Sequence, residues 1–314
     1  MNRQICIVGG SGFVGRAISK QALAAGYDVR VACRHPERAQ DMMVDGVDLV
    51  KVDVINGSGL RDAVAGCGAV INLVGLLFER GKYSFDAAHV QGSRHLLAAC
   101  EEVSVAHFIQ MSALGVNENP KSIYARTKTI AEQQVKQSRM HWTIFKPSLI
   151  FGAGDSFFLK LKSVLAVAPA MPVFSPTTCF QPIWVEDVAR AFVLALGNRK
   201  CYGQSYALAG PHVYSMQALM ESLMRVTGYQ RLLIPVPSFA AKAFAMATAW
   251  LPTPLITLDQ LQMMETDNIV GQGDSYPQCF GEASSVEAIL PTYIKADAAG
   301  RLQNKLDVYR KHAR

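Results

Sequence analysis

Three features of the chain predict an α/β fold, a doubly wound parallel sheet with a smaller, mostly helical C-terminal part. Short apolar runs alternate with helix-length segments from Ile5 to Leu196, the pattern of strands that pair in parallel and are covered by helices on both faces. The first apolar run, Ile5-Cys6-Ile7-Val8, breaks directly into Gly9-Gly10-Ser11-Gly12-Phe13-Val14-Gly15. No internal repeat or low-complexity tract interrupts the alternation.

The glycine stretch joins the first strand to the first helix. Gly9 permits a tight turn, Gly12 lets the backbone approach phosphates, and Gly15 lets helix and strand pack closely. Gly10, Ser11, Phe13 and Val14 complete the turn and the helix N-terminus, whose amides and dipole favour an anion. The expectation is a Rossmann-type dinucleotide site over residues 1–152.

Each later element follows from its pattern. Arg16–Ala25 has helical spacing and is stopped by Gly26, and Asp28–Cys33 reads as the second strand. That strand ends in Arg34-His35-Pro36-Glu37-Arg38. An acidic residue here would bind an adenosine 2′-hydroxyl and a basic one would accommodate a 2′-phosphate. Arg34, with Arg16 and Arg38 nearby, therefore favours NADPH/NADP over NAD/NADH. Asp48–Val54 is the third strand, and Asp53 and Val54 at its end meet the adenine side. A short helix lies between Gly57 and Gly68. Ala69–Val74 is the fourth strand, with Val74 and Gly75 at the cofactor edge. A helix from about Ser84 to Glu102 and a fifth strand at Val105–Met111 follow.

Strand five runs into Ser112-Ala113, and a helix beginning near Ser122 carries Tyr124-Ala-Arg-Thr-Lys128. A spacing of four sets Tyr124 and Lys128 on one helical face. An ammonium beside a phenol favours the phenolate, the requirement for an acid/base group in hydride transfer. Ser112, Tyr124 and Lys128 are the catalytic candidates and are counted with the cofactor-binding residues.

The 314 residues are 50% hydrophobic and 18% charged, as expected of a packed globular protein. The net charge of +6 is not gathered into one basic block, which argues against nucleic acid as a partner. The seven cysteines are scattered with no C-x-x-C spacing, so they read as reduced and buried, and no metal site is expected. The first strand begins almost at the first residue, without a signal or transit segment, so the chain is expected to be cytoplasmic or already processed.

With these residues in view, the chain resembles the extended short-chain dehydrogenase/reductase superfamily. The resemblance rests on Gly9–Gly15, Tyr124/Lys128, Lys146-Pro147-Ser148-Leu149-Ile150-Phe151-Gly152 and Pro182-Ile183-Trp184-Val185-Glu186-Asp187-Val188-Ala189. It implies that Pro147 lies by the nicotinamide and that Pro147 and Ile150 complete the cofactor-binding set. The second half resembles one branch more closely: the NAD(P)H-binding accessory subunit of respiratory complex I and its bacterial relatives. Tyr206-Ala-Leu-Ala-Gly210-Pro211, Thr227-Gly228-Tyr229, Ile234-Pro235-Val236-Pro237, Leu258-Asp259-Gln260, Thr266-Asp267-Asn268 and Ile289-Leu290-Pro291-Thr292-Tyr293 carry that resemblance.

Two departures bear on activity. Extended members usually carry paired hydroxyl residues where this chain has Ser112-Ala113, so the hydroxyl that would polarise a substrate carbonyl is replaced by Ala113. One such donor is worth about 3 kcal/mol of barrier. Where many extended enzymes read Asn-Val-x-Gly-Thr, this chain has His89-Val90-Gln91-Gly92-Ser93, and His89 is expected to be a packed core histidine.

In the second half, 153–178 reads as a loop and short helix near the nicotinamide end, with Phe157, Phe158, Leu159 and Leu161. Residues 179–202 return to the Rossmann core, and 203–314 form the small domain and a basic tail (Lys295, Arg301, Lys305, Arg310, Lys311, Arg314). The alanine-rich run 238–251 is shorter than the roughly twenty residues of a membrane span. A buried helix is its first reading; a helix in the membrane interface or docked on a partner is the alternative.

The expected function is to hold NADPH as a structural or sensing cofactor, accessory to complex I or another quinone-linked membrane assembly, in the cytoplasm or peripheral on the inner face of the membrane. The alternative is an active NADP-dependent reductase, dehydrogenase or epimerase acting on a small or lipid-like substrate. A regulator that changes partners with the NADPH/NADP ratio is the third. In enzymatic terms the chain is oxidoreductase-like with a partly degraded site.

Overall fold

The computed structural model describes residues 2–116, 121–251, 254, 256–270 and 277–295. The tail residues Arg301, Lys305, Arg310, Lys311 and Arg314 lie outside them. The chain divides into two compact units. The first comprises 1–147, 185–208 and 270–282, and the second 148–184, 209–269 and 283–314.

The first unit is built on β1 (Gln4–Val8), β2 (Asp28–Cys33), β3 (Asp48–Lys51), β4 (Ala69–Asn72), β5 (His107–Met111), β6 (His141–Pro147) and β7 (Gln204–Leu208). They form one seven-stranded sheet in the order β7-β6-β5-β4-β1-β2-β3, with every pairing parallel. Besides the single turn Asp41–Val44, its helices are α1 (Phe13–Ala24), α2 (Leu60–Val64), α3 (Gly92–Glu102), α4 (Ile123–Gln137) and α5 (Val185–Ala195). The strand order reverses between β1 and β4, so the carboxyl ends of those strands splay apart into a crevice, where such sheets bind ligands. β7 closes the edge beside β6, although the sequence boundary at 203 assigned it to the small domain.

The core explains why so few polar residues occur in the strands. Cys6, Val8, Val70 and Phe108 from the sheet meet Leu60, Val64, Leu96 and Cys100 from α2 and α3, and all are buried. α1 packs along α5, and the Gln21 amide bonds both the backbone and side chain of Glu186.

Several boundaries differ from those expected, for local reasons. α1 begins at Phe13 rather than Arg16 because the glycine turn, not apolar periodicity, sets its start. β3 stops at Lys51 because the Asp53 amide turns away to bond the Ser58 carbonyl. β4 stops at Asn72, whose side chain accepts from the Val74 amide. Six residues before α3, Asp86–Gln91, are wound as a π-helix.

In the second unit the segment expected as loop and short helix forms the helix Phe157–Val167 and the strand Ala170–Phe174, which pairs in parallel with Leu232–Val236. Phe158 and Leu165 of this helix are buried with Leu219 and Leu223 of the helix Met216–Thr227 and with Leu290 of the helix Val286–Tyr293. A smaller core gathers Phe174, Ala241, Ala245, Ile256 and Leu261.

The expectation of a buried helix at 238–251 is overturned. The helix Ser238–Thr248 buries only Ala241 and Ala245, while Phe239 is 77%, Met246 59% and Trp250 80% exposed. Two small residues can seat on a thin core, and the bulky ones cannot. Among the described residues no helix is long and apolar enough to cross a membrane.

Candidate functional site

The glycine turn assembles as backbone against backbone. Gly9 sits at φ +81, a conformation other residues adopt at a cost. A Cβ on Gly10 would lie 2.8 Å from the Val31 side chain, and one on Gly15 would lie 2.3 Å from the Gly10 carbonyl oxygen. Both glycines are therefore required by the protein's own packing. Gly12 is not: an added Cβ there would meet only the Gly9 carbonyl, at 3.5 Å. Gly12 is the N-cap of α1, with no side-chain cap and no acidic residue in the first turn. Phe13 and Val14 begin the helix behind it. The helix N-terminus is thus presented through a residue with no side chain, a cradle suited to a pyrophosphate.

That cradle opens onto a cleft of about 270 Å³ at the carboxyl ends of β1 to β4. Gly9, Ser11, Gly12, Arg34, Asp53, Val54, Val74 and Gly75 line it, together with Cys33, Ile55, Leu76 and Tyr83, which periodicity and motif do not single out. The Arg34 guanidinium lies 4.3 Å above the centre of the Tyr83 ring. Arg16 is committed elsewhere. It pairs with both Asp41 carboxylate oxygens and donates to the Ser11 carbonyl, so it braces the turn instead of facing the cleft. The Asp53 carboxylate accepts from the Ile55 amide at 3.1 Å, which holds the β3 end in its turn.

Tyr124 and Lys128 adjoin this cleft through the end of β4. The α4 N-terminus is capped by the Ser122 hydroxyl accepting from the Ala125 amide, which starts the helix one residue before Tyr124. The buried Lys128 ammonium donates to the carbonyls of Val74 (3.2 Å) and Met111 (3.3 Å). It lies 6.0 Å from the centre of the Tyr124 ring. A Cβ on Gly75 would come within 3.4 Å of it, so Gly75, which lines the cleft, lies directly against the ammonium. Burial pulls the Lys128 pKa down to about 8, while the Glu132 carboxylate works in the opposite direction.

Ser112, the third catalytic candidate, has its hydroxyl engaged within the protein. Its hydroxyl is buried and donates to the Glu132 carboxylate at 2.5 Å, and the other Glu132 oxygen pairs with the Lys146 ammonium at 2.8 Å. A hydroxyl has one proton to give. With that proton directed at Glu132, Ser112 has none left to polarise a carbonyl. Glu132 was missed from the motif, although its signal is plain: Tyr124, Lys128 and Glu132 follow one another at four-residue steps along one face of α4.

His89 is packed, as expected. Its Nε2 accepts from the Leu76 amide (3.2 Å) and its Nδ1 bonds the Thr127 hydroxyl (2.9 Å). Thr127 in turn donates to the Tyr124 carbonyl, which makes Nδ1 the protonated nitrogen of a neutral ring. The ring stacks on Phe85 and meets Tyr124 edge-on at 5.4 Å. Burial, then the Lys128 charge, pushes its pKa down to about 2.

Pro147 ends β6, and its carbonyl accepts from the Leu114 amide. Ile150 belongs to the second unit, where Ile150–Phe151 pairs with Ile183–Trp184. The cleft, Tyr124 and Lys128 are thus collected within the first unit, and Ile150 is not. Among the described residues no group of His, Cys, Asp or Glu could hold a metal.

Comparison with known proteins agrees with this geometry. The NAD(P)H-binding family profile matches residues 9–153, the span containing most of the cleft lining, Tyr124 and Lys128. The chain is 31% identical over 286 residues to NADH dehydrogenase [ubiquinone] 1 alpha subcomplex subunit 9, mitochondrial, of Arabidopsis thaliana, covering 84% of this chain and 70% of that one. It is 29% identical to ceramide reductase of Caulobacter vibrioides over 60% of this chain and 59% of that protein. A solved NADPH-dependent quinone oxidoreductase of Escherichia coli, complexed with NADPH, has the same fold, with a TM-score of 0.71 at 17% identity, covering 90% of this chain and 97% of that one. The chain belongs to the NAD(P)H-binding family of the complex I subunit-9 proteins, built on the extended short-chain dehydrogenase/reductase fold.

Proposed function

We propose that the chain holds NADPH in the β1–β4 cleft as a structural or sensing cofactor and serves as an accessory subunit of complex I or another quinone-linked membrane assembly, on the cytoplasmic face of the membrane. The observation that carries this reading is the Ser112 proton. It is given to the Glu132–Lys146 pair, and the next residue, Ala113, has only a methyl group where extended enzymes place a second hydroxyl. NADPH supplies a hydride where a site turns it over; here the residues present favour binding. Gly12 and the α1 N-terminus would receive the pyrophosphate, and Lys128, which lies against Gly75, would donate to ribose hydroxyls beside Tyr124. Arg34 at the β2 end supports a 2′-phosphate, with its guanidinium anchored over Tyr83.

The test begins with protein purified without added nucleotide. Released cofactor identified by mass as NADPH, present in stoichiometric amount and not oxidised by carbonyls or quinones, supports the reading. Rapid consumption of NADPH overturns it. The rival, an active reductase, is favoured by the retained Tyr124–Lys128 pair and by the relative named ceramide reductase. The Ala113→Ser protein separates the two: restored carbonyl reduction marks a site that had lost its donor. An activity already present and abolished in Tyr124→Phe marks an enzyme.

A further inference from the structure

The second unit carries an apolar surface that its own packing does not use. In the helix Ser238–Thr248 the inward positions are Ala241 and Ala245. On the opposite side of the helix Phe239, Ala243 and Met246 follow at steps of four and three, Trp250 stands just past the helix end, and all four are exposed. Leu232 and Ile234, on the strand that leads into this helix, are 71% and 46% exposed.

Two observations indicate what covers this stripe. First, its polar atoms are satisfied locally: the Trp250 indole N–H donates to the Ala247 carbonyl at 2.8 Å, and the Thr248 hydroxyl donates to the Phe244 carbonyl at 2.9 Å. The face therefore asks nothing of a hydrogen-bonding partner and loses nothing in hydrocarbon. Second, the segment 224–251 contains Arg225, Arg231 and Lys242 and no acidic residue. Arg225 and Arg231 line a surface cavity of about 460 Å³ with Tyr229 and Gln230, directly before the exposed strand. Arg231 stacks over Tyr229 and donates to the Leu165 carbonyl, so its guanidinium is held in place. Lys242 is half-exposed and shares its charge with Glu265. Apolar side chains flanked by cations complement a surface with an apolar interior and an anionic rim. From Phe239 to Met246 the stripe covers seven helical steps, roughly 10 Å at the rise of an α-helix, and Trp250 extends it just past the helix end; it is long enough to lie along an interface and too short to cross it.

We propose that the segment 231–251 lies in the interface of an anionic lipid bilayer, with Phe239, Met246 and Trp250 among the acyl chains and Arg231 and Lys242 at headgroup phosphates. This deepens the membrane placement in the reading above and does not depend on the nucleotide.

The test uses the full chain with vesicles that contain no protein. Wild type floats with phosphatidylcholine–phosphatidylglycerol vesicles and less with phosphatidylcholine alone, and brominated acyl chains quench its tryptophan fluorescence. Quenching falls in Trp250→Phe. The Phe239→Ser/Met246→Ser/Trp250→Ser protein floats about tenfold less while its melting temperature and NADPH binding stay unchanged, since these side chains support no core. Wild type that ignores both vesicles overturns the proposal. So does a triple variant that floats as well as wild type, since attraction would then come from the basic tail. Wild type that binds only protein-containing membranes makes the stripe a protein-docking face and overturns it as well. Flotation without NADPH binding would sink the functional reading and leave this one standing.

Discussion

Gly12 and Gly15 stand three positions apart in one turn, yet a methyl group does different things at each. At Gly15 it would overlap the Gly10 backbone at 2.3 Å, so Gly15→Ala separates helix from strand and costs about 1–3 kcal/mol or more, read in a denaturant melt. At Gly12 the backbone is extended, with φ −78, and the nearest atom stands 3.5 Å away. Gly12→Ala is expected to melt close to wild type and to lose NADPH binding by at least about tenfold in an isothermal titration, the loss falling on the ligand. A variant that folds and binds normally would remove the pyrophosphate from this turn. Lys128 supplies a pH test of the same site. Its ammonium holds its proton below about 8 when folded, against an ordinary value of 10.5. Between those values the unfolded chain binds the extra proton, so this group makes stability rise with pH there. The cationic form is the one that donates to ribose. Nucleotide affinity is therefore expected to weaken several-fold from about pH 7 to about pH 9, with the dependence flattened in Lys128→Met. A rise in affinity over the same range would show that Lys128 does not act as a cation there.

The π-helix at Asp86–Gln91 is the element that ties β4 to α4, because it aims His89 between the Leu76 amide and Thr127. π-turns inside helices often mark such sites. Replacing His89 with Gln removes a ring that stacks on Phe85 and meets Tyr124, and leaves the Leu76 amide short of an acceptor, at a cost of about 1–3 kcal/mol at neutral pH. The sign of its pH dependence follows from burial. The ring stays neutral when folded down to about pH 2, while the unfolded chain takes up a proton below its ordinary 6.5. Wild type thus loses stability as pH falls through that window and the variant does not. The gap between them should close by about 2 kcal/mol near pH 5, measured by paired urea titrations. A constant gap would mean that the folded ring takes a proton. The π-turn was invisible in the sequence, since its residues continue the apolar pattern of the helix that follows. β2 was legible residue for residue, because it ends in the Arg34-His35-Pro36 break. The ends of β3 and β4 were not, because Asp53 and Asn72 turn the chain with side-chain bonds that hydrophobicity does not register. The glycine cradle and the Tyr124–Lys128 face were readable as local spacing. The loss of the Ser112 proton was not, since Lys146 lies far along the chain from Ser112 and meets it only through Glu132 on the fold.

At the scale of the whole molecule, the chain leaves and re-enters the first unit, with junctions after Pro147, Trp184, Leu208, Ile269 and Glu282. The family match at 9–153 therefore spans most of the nucleotide cleft but not the whole unit that supports it. α5 and β7 come from later in the chain. β7 pairs with β6 over Gln204–Leu208, and its Tyr206 ring stacks on Phe145. Phe192 of α5 packs on the same Phe145 ring at 4.5 Å, and Phe280 meets it edge-on at 5.5 Å. A fragment ending at residue 152 would keep every residue that lines the cleft. It would also expose Phe145, the β6 edge and the face of α1 that α5 covers. Unpaired strand edges and uncovered aromatic cores drive association. The fragment is expected to be aggregated or molten, without a cooperative thermal transition, and to bind NADPH weakly despite its intact lining. Ligand that binds only the folded form should rescue it in part, since nucleotide at about a hundred times its dissociation constant adds about 2.7 kcal/mol. Circular dichroism melts of the fragment with and without NADPH, beside the full chain, provide the measurement. A sharp transition in the bare fragment would make the glycine-turn half an independent folding unit. No transition without nucleotide, and a cooperative one with it, would mean that the cofactor substitutes for part of the packing that α5, β7 and Phe280 provide, which is how a structural cofactor acts.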